Sequence, residues 1–592
     1  MGVPGFVAWL RDYFKDIMIY NSLPSDPDVL YIDGNCLIHP KCFEILDNCP
    51  DIESHEKLEG LMFRRITKFI DYLVDYVSPK KECYFAVDGV APLAKINQQR
   101  KRRFRAIDDA EMKDQLKQKY NLPLPTKWTN TVITPGTDFM EKLHNYLHKY
   151  FKTKAANCKK GITYRYSSYH TSGEGEHKIL KDIRTLLRTK QSKDDDTYVI
   201  YGLDADLFFL SMASMKKNIY LLREEFHFVQ GKAVKRELFD PIDDVAEEMR
   251  YVSIDITKEC YDKRISEIIM QKREPTYRFT ESDLSTEYWD DFVFICYFLG
   301  NDFLPHLPSI DIHKEGLDIV IDCYTDIMIT LNQKLIIPGE KTKINTIFLL
   351  ELLRKLSDME ELYFSEMLPE FNHKRGKRRC FAQDEYSREL WSIENMKFHV
   401  DDNIQLGTGS KEDWQFRYYS HYFGVSEYYQ EHVDSMAKLY AEGLMWVLKY
   451  YFEECPSYTW LYPFTHAPFI SDIYKYLNES KLDVNDIMFS MQKPLTPCVQ
   501  LLSVLPPACS NLLPKKYTHL VTSAKSPILD LYPTKVPLDM INKDMYYMCV
   551  PMLPYLDVNR ILHAVKDIKL TEQDTLRNKE TEDYIFHPRL KT

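Results

Sequence analysis

Three short apolar runs in the first 210 residues end in acids. VLYID closes on Asp33, CYFAVD on Asp88, and VIYGLDAD on Asp204 and Asp206. SGEGEHKIL adds Glu174 and Glu176 in a glycine-flanked turn, and FLGNDFLPHLP adds Asp302 just after an apolar run. Carboxylates gathered in one place repel one another and stay ionised together only with cations present. Hard oxygen donors without a Cys or His cluster suit Mg²⁺ or Mn²⁺ rather than zinc. Two such ions can activate a water, hold a phosphate and stabilise a leaving oxygen. The alternative is that each Asp is a turn residue or a helix cap. Spacing alone therefore reaches no further than a metal-dependent phosphoryl-transfer enzyme.

A second cluster follows the second acid. The stretch AVDGVAPLAKINQQRKRRFR, residues 86–105, holds Lys95, Arg100, Lys101, Arg102, Arg103 and Arg105. On a helix over 94–105, Lys95, Gln99, Arg102 and Arg103 fall at i, i+4, i+7 and i+8, which is one face. Three cations and an amide on one face make a pocket for a phosphate. A solvated charged face explains the same pattern. Arg100 and Lys101 point elsewhere and, with Arg105, are expected to be solvent-facing charge.

These side chains need a scaffold. Short β-rich runs between longer helical patterns predict an α/β region with a mostly parallel sheet over residues 1–330. Their unbroken apolar character fits strands covered on both faces. In such sheets ligands bind beyond the carboxyl ends of the strands, where the acids stand. Asp204 and Asp206, two apart on a strand, are expected to project to the same side. Residues 331–410 read as a helical connector with a basic loop, FNHKRGKRRC. Residues 411–592 read as a second, largely helical region broken by the aromatic loop CPSYTWLYPFTHAPF and ending in a polar tail.

Composition narrows the class. The 592 residues are 44% hydrophobic and 13% aromatic, enough for a large core. No run approaches the roughly 18 apolar residues of a membrane span, and the first residues show no signal peptide. Thirteen scattered cysteines without a C-x-x-C pair argue for reduced thiols rather than a disulfide framework. The net charge of −11 disfavours non-specific nucleic-acid binding but leaves room for a local basic groove.

Taken in order, the segments MGVPGFVAWL, YIDGNCLIH, FAVDGVAPLAKINQQRKRRFR, VITPGTDFM, SGEGEHKI, YGLDADLFFL, LLREE and FLGNDFLPHLP resemble the first conserved region of the XRN family of 5′→3′ exoribonucleases. WLYPFTHAPF, LLSVLPPACSNLLP and LTEQDTLRN resemble its second. The resemblance implies a PIN/5′-nuclease-like mostly parallel sheet flanked by helices, with a largely helical second conserved region packed against it. It implies that Asp33, Asp88, Glu174, Glu176, Asp204, Asp206 and Asp302 hold two Mg²⁺ ions, with Mn²⁺ as a substitute. Lys95, Gln99, Arg102 and Arg103 match the pocket for a 5′-monophosphate. His39 matches an aromatic partner of the terminal base, and Trp460 the Trp that stacks opposite it.

The implied activity is processive degradation of single-stranded RNA bearing a 5′-monophosphate to nucleoside 5′-monophosphates, by a cytoplasmic rather than nuclear or secreted monomer. The sequence departs from the family pattern at Gly34, which replaces a bulkier residue, and at Cys36, which replaces a Gly. It stops near the end of the second conserved region, which gives the expectation of a compact form without large C-terminal accessory domains. Two rivals differ in class. A flap-endonuclease-like enzyme acting on DNA shares the acidic strand ends, but its Gly-rich duplex-gripping segment is missing after Asp302. An inactive RNA-binding scaffold needs no acids, yet all seven are kept. The basic run Lys374–Arg379 matches no motif and is expected to be a solvated loop.

Overall fold

The alternation within VLYID sets the centre of the sheet. In a computed structural model, Leu30 and Ile32 of this strand point into one hydrophobic layer, and Val29 and Tyr31 into the other. The structure describes residues 19–588 except 50, 51, 53, 125–127, 159–160, 225–239, 275–286, 340 and 427–428. The segment MGVPGFVAWL and Glu225 of LLREE therefore lie outside the described residues.

Seven strands come first: β1 (Ile19–Tyr20), β2 (Val29–Asp33), β3 (Glu82–Ala86), β4 (Thr163–Ser167), β5 (Tyr198–Tyr201), β6 (Ile219–Glu224) and β7 (Met249–Ser253). With a C-terminal strand, Tyr584–Phe586, they form an eight-stranded sheet in the order β1-β7-β6-β5-β2-β3-β4 and then that last strand. The pairs β6–β5, β5–β2, β2–β3 and β3–β4 are parallel. Both edges are antiparallel. The central parallel strands are buried on both faces, so each reads as a continuous apolar run rather than an alternating one.

One face is covered by the helices Gly34–Asn48, His55–Val77 and Asp138–Ala156, through Leu37, Ile66, Phe69 and Leu147. The other face carries a larger core. It includes the helices Gly175–Arg188, Asp206–Ala213 and Ile254–Arg273. It continues without a break into Gly316–Leu331, Thr346–Leu362 and Tyr429–Phe452 of the helical half. A third cluster, centred on Phe364, Trp414, Tyr418 and Phe469, closes the far end. Among the described residues no helix is long and apolar enough to cross a membrane.

The basic segment is one helix, Leu93–Lys119. Two expectations about it need correcting. Arg100 is 1% exposed, and its guanidinium donates to the carbonyls of Pro554 at 2.7 Å and Leu531 at 2.5 Å. Arg105 is also buried, donating to the carbonyls of Cys549 and Tyr546 and pairing with Asp109 at 3.0 Å. Both are clamps that fasten the C-terminal region to this helix. The polar tail is also more than a tail: its strand Tyr584–Phe586 completes the sheet against β4.

Candidate active site

The acids meet because the parallel strands all end on the same side. Asp33 is the last residue of β2 and caps the helix that follows, accepting from the Asn35 backbone N–H at 3.2 Å. It is therefore both a cap and a member of the cluster. Asn35 then ties two strand ends together. Its Nδ2 donates to Asp88 Oδ2 at 2.9 Å, and its Oδ1 accepts from the Asp88 backbone N–H at 3.1 Å. The Gly175 backbone N–H donates to Asp88 Oδ1 at 2.7 Å. A Cβ at Gly175 would lie 2.8 Å from the Ala86 carbonyl and 2.9 Å from Asp33 Oδ1. Only glycine lets the turn carrying Glu174 and Glu176 come this close to both strands.

Asp204 and Asp206 are not on a strand, contrary to the sequence expectation. Strand β5 ends at Tyr201, and Asp206 opens the helix Asp206–Ala213. The Asp206 backbone N–H donates to Asp204 Oδ1 at 3.1 Å, so the pair is built by a helix-entry turn. Asp302 comes from the helical side. Gly300 sits at φ +82°, and the Asn301 side chain accepts from the backbone N–H groups of Phe303 and Leu304, both at 2.9 Å. This tight loop presents Asp302 to Lys95, whose ammonium lies 2.7 Å from Asp302 Oδ2 and 2.5 Å from Glu174 Oε2.

Burial and mutual repulsion dominate the electrostatics. Burial first, then the Asp88 carboxylate, push Asp33 up to about 7, while the Cys36 thiol, donating at 2.8 Å, opposes them. Asp88 is raised by burial and then by Glu174. Glu176 is raised well above the carboxylate range by burial, Asp204 and Asp206. Asp206 is raised similarly by burial, Asp204 and Asp302. Burial opposes the charge on Lys95, but Asp302 and Glu174 outweigh it and hold the ammonium well above its ordinary value.

Two oxygens of the cluster, Glu176 Oε2 and Asp206 Oδ1, are buried without a hydrogen-bond partner. Among the described residues no group of three or more His, Cys, Asp or Glu side chains is already arranged to hold an ion. Among the described residues Lys95 supplies a counter-charge, to Glu174 and Asp302. Unmet buried oxygens and an all-carboxylate donor set still fit a hard divalent cation, which would offset the repulsion that raises these groups.

The basic face lies beside the acids. Lys95 and Gln99 are buried, Arg103 is half-buried and Arg102 is exposed. Arg103 donates through one terminal nitrogen to Thr134 Oγ1 at 2.5 Å, while its Nε and other terminal nitrogen are buried and unpartnered. Burial, and then Arg102, push its guanidinium down to about 9. His39, on the helix Gly34–Asn48, lies next to this face. Burial followed by Arg102 and Arg103 push its imidazole down to about 3. The ring contacts of Trp460 are to Trp446, stacked at 5.4 Å, and to the edge of Phe489, not to His39.

Several residues here escaped sequence reasoning. Trp446, Tyr450 and His177 continue a stack that begins at Trp460, with centroid separations of 5.4, 4.7 and 3.8 Å. The Tyr450 hydroxyl at its end donates to Glu174 Oε1 at 2.8 Å. Lys178 donates to the carbonyls of Val87 and Ser168 at 2.7 and 2.9 Å and fixes the loop bearing Asp88. The available signals were weak: a hydroxyl in an apolar stripe, and a Lys four residues after Glu174.

A mostly parallel α/β sheet with acids gathered at its strand ends defines a PIN-like fold. Residues 1–225 match the family model described as XRN 5′-3′ exonuclease N-terminus, and residues 285–399 and 382–589 match the one described as Xrn1 helical domain. The chain belongs to the XRN family. It is 31% identical over 628 residues to 5′-3′ exoribonuclease 1 of Homo sapiens, covering 98% of this chain and 35% of that protein. It is 28% identical to 5′-3′ exoribonuclease 1 of Saccharomyces cerevisiae, covering 100% of this chain and 45% of that protein. For the 5′-3′ exoribonuclease 2 homolog of Drosophila melanogaster the identity is 29%, covering 99% of this chain and 73% of that protein. The chain thus spans less than half the length of the first two.

Proposed function

We propose that this chain is a 5′→3′ exoribonuclease that removes nucleotides one at a time from RNA bearing a 5′-monophosphate. The carrying observation is the half-met Arg103 guanidinium, buried on the same helix face as Lys95, whose ammonium touches Glu174 and Asp302. An anion site and a carboxylate cluster so joined suit two successive phosphates of one strand: the terminal one on the cations, the scissile one over the acids. The names of the relatives support the same reading.

Asp33, Asp88, Glu174, Glu176, Asp204, Asp206 and Asp302 would hold two Mg²⁺ ions, with Mn²⁺ as a substitute. When bound, such ions lower the pKa of water and stabilise charge on the scissile phosphate and the leaving oxygen. The protein's own part is placement. Asn35 and the Gly175 N–H fix Asp88, Cys36 and Asn35 fix Asp33, and Tyr450 fixes Glu174. Arg103, anchored on Thr134, gives the phosphate site a fixed back wall. The two added phosphates of a triphosphate end would have to displace that wall. His39 and Trp460 would flank the terminal bases, contacts that read no sequence. Cleavage after the first nucleotide leaves a new 5′-monophosphate, so the same pocket receives each successive end.

With RNA carrying a labelled 5′-monophosphate, the label should appear first as free nucleoside 5′-monophosphate. Labelled oligomers as first products would overturn the exonucleolytic reading.

A further inference from the structure

A cavity of about 620 Å³ is lined by Asp302 of the acid cluster and by residues of the helix that carries Arg103. Its inner wall includes Gln98 and Asp302, and its far wall includes Tyr422, Phe464 and Tyr547. On the helix Leu93–Lys119, the cavity residues Ala94, Asn97, Gln98 and Lys101 form one stripe. Lys95, Gln99, Arg102 and Arg103 form the neighbouring stripe, and Asp302 touches both, through Lys95 at 2.7 Å and Gln98 at 3.4 Å. The cavity and the basic face therefore meet at Asp302.

The cavity is chemically unfinished. Lys101 is half-buried, and no acid pairs with it among the described residues. Burial, and then Arg100, lower its ammonium to about 8, as expected of a cation without a counter-charge. Gln98 Oε1 and Asn301 Nδ2, also on its lining, are buried and unpartnered. The far wall is aromatic, with Tyr547 67% exposed, and charges of both signs line that end, Lys314 and Lys543 with Asp311 and Asp544.

We propose that this cavity is the exit chamber for the nucleoside 5′-monophosphate freed by each cut, with Lys101 meeting its phosphate and the aromatic wall its base. The inference rests on the exonuclease reading above and extends it. If each new 5′ end must enter the Arg103 pocket, the freed nucleotide leaves without crossing the incoming strand only by a second route. The cavity is that route. Its volume suits a single small ligand, within the roughly 300–1,000 Å³ typical of such sites.

Two substitutions in the full chain with Mg²⁺ test this. In Lys101→Met, KM for 5′-monophosphate RNA should be unchanged; made in an Arg103→Ala background, where the end-binding pocket no longer holds AMP, the same substitution should weaken calorimetric binding of AMP about tenfold, as expected for losing one charged hydrogen bond. In Asn97→Trp, which fills the chamber, steady-state turnover should fall about tenfold while the first cut keeps its rate, because release becomes limiting. AMP binding unchanged by Lys101→Met in that background, or a first cut slowed as much as turnover in Asn97→Trp, overturns the chamber. If wild-type protein degrades no RNA, the exonuclease reading falls on that assay, and AMP binding still judges the cavity separately.

Discussion

The Tyr450 hydroxyl donates to Glu174 at 2.8 Å, a direct contact between the helical half of the chain and the acids of the sheet. Tyr450 stacks on His177 and Trp446, so its ring is held independently of the hydroxyl. The second conserved region thus reaches into the site itself.

Tyr450→Phe isolates that bond. The stack should persist, and stability should fall by about 1–3 kcal/mol because a buried carboxylate loses a donor. Glu174 would then be held through Lys95 alone, with its Oε1 no longer fixed, and single-turnover cleavage should slow about tenfold. An unchanged cleavage rate with the expected loss of stability would make Tyr450 a purely structural tie.

Asp206 contributes repulsion before it contributes anything else. Burial, Asp204 and Asp302 raise it well above the carboxylate range. Asp206→Asn should therefore raise the melting temperature of the metal-free protein and abolish turnover, while RNA is still bound. Wild-type protein should gain stability on adding Mg²⁺, as any ligand of the folded state requires. The variant should gain less. An equal Mg²⁺ shift in both would remove Asp206 from the ion site.

Arg100 makes the opposite contribution to its neighbour Arg103. Its two bonds go to the carbonyls of Pro554 and Leu531. Arg100→Ala should destabilise the fold by about 3 kcal/mol, since both buried carbonyls lose their donor. At temperatures where it stays folded, preference for the 5′ end should be unchanged. A lost end preference would place Arg100 in the anion pocket after all.

The contrast between Arg100 and Arg103 shows how much the sequence discloses. Helical periodicity separated the two faces correctly, because it depends only on the local backbone. It could not show that Arg100 and Arg105 are buried, since the carbonyls that hold their terminal nitrogens lie more than 400 residues away and have no side-chain signature. The strands ending at Asp33, Ala86 and Tyr201 were legible as apolar runs bounded by turn residues. Asp204 and Asp206 were misplaced because a short strand and a helix entry share the pattern YGLDAD. The strand Tyr584–Phe586 was missed because three residues carry no periodicity of their own. Tyr450 was hidden because an aromatic in an apolar helix stripe reads as core.

Stability should also depend on pH through Glu360, away from the site. Glu360 is fully buried and accepts from Ile470 N at 2.9 Å and from Ser471 Oγ at 2.7 Å. Burial still raises its carboxyl to about 7, with these bonds opposing. The folded state then binds one more proton than the unfolded state between the ordinary carboxyl pKa and 7. Its contribution to stability is accordingly lost as pH rises through that window, by about 3 kcal/mol at most. Glu360→Gln should shrink the difference between urea unfolding at pH 5.5 and pH 8. Parallel pH profiles for the two proteins would show that the folded carboxyl titrates normally.

The central claim is that an anion pocket beside the acids selects the end to be cut. The most direct measurement compares Mg²⁺-dependent degradation of one RNA bearing a 5′-monophosphate, a 5′-triphosphate or a 5′-hydroxyl, by wild-type protein and by Arg103→Ala. The monophosphate end should be degraded at least about tenfold faster by wild type, and the variant should lose most of that preference, as expected when a buried guanidinium contact to phosphate is removed. Equal rates on all three ends, or a preference untouched in Arg103→Ala, would contradict the account.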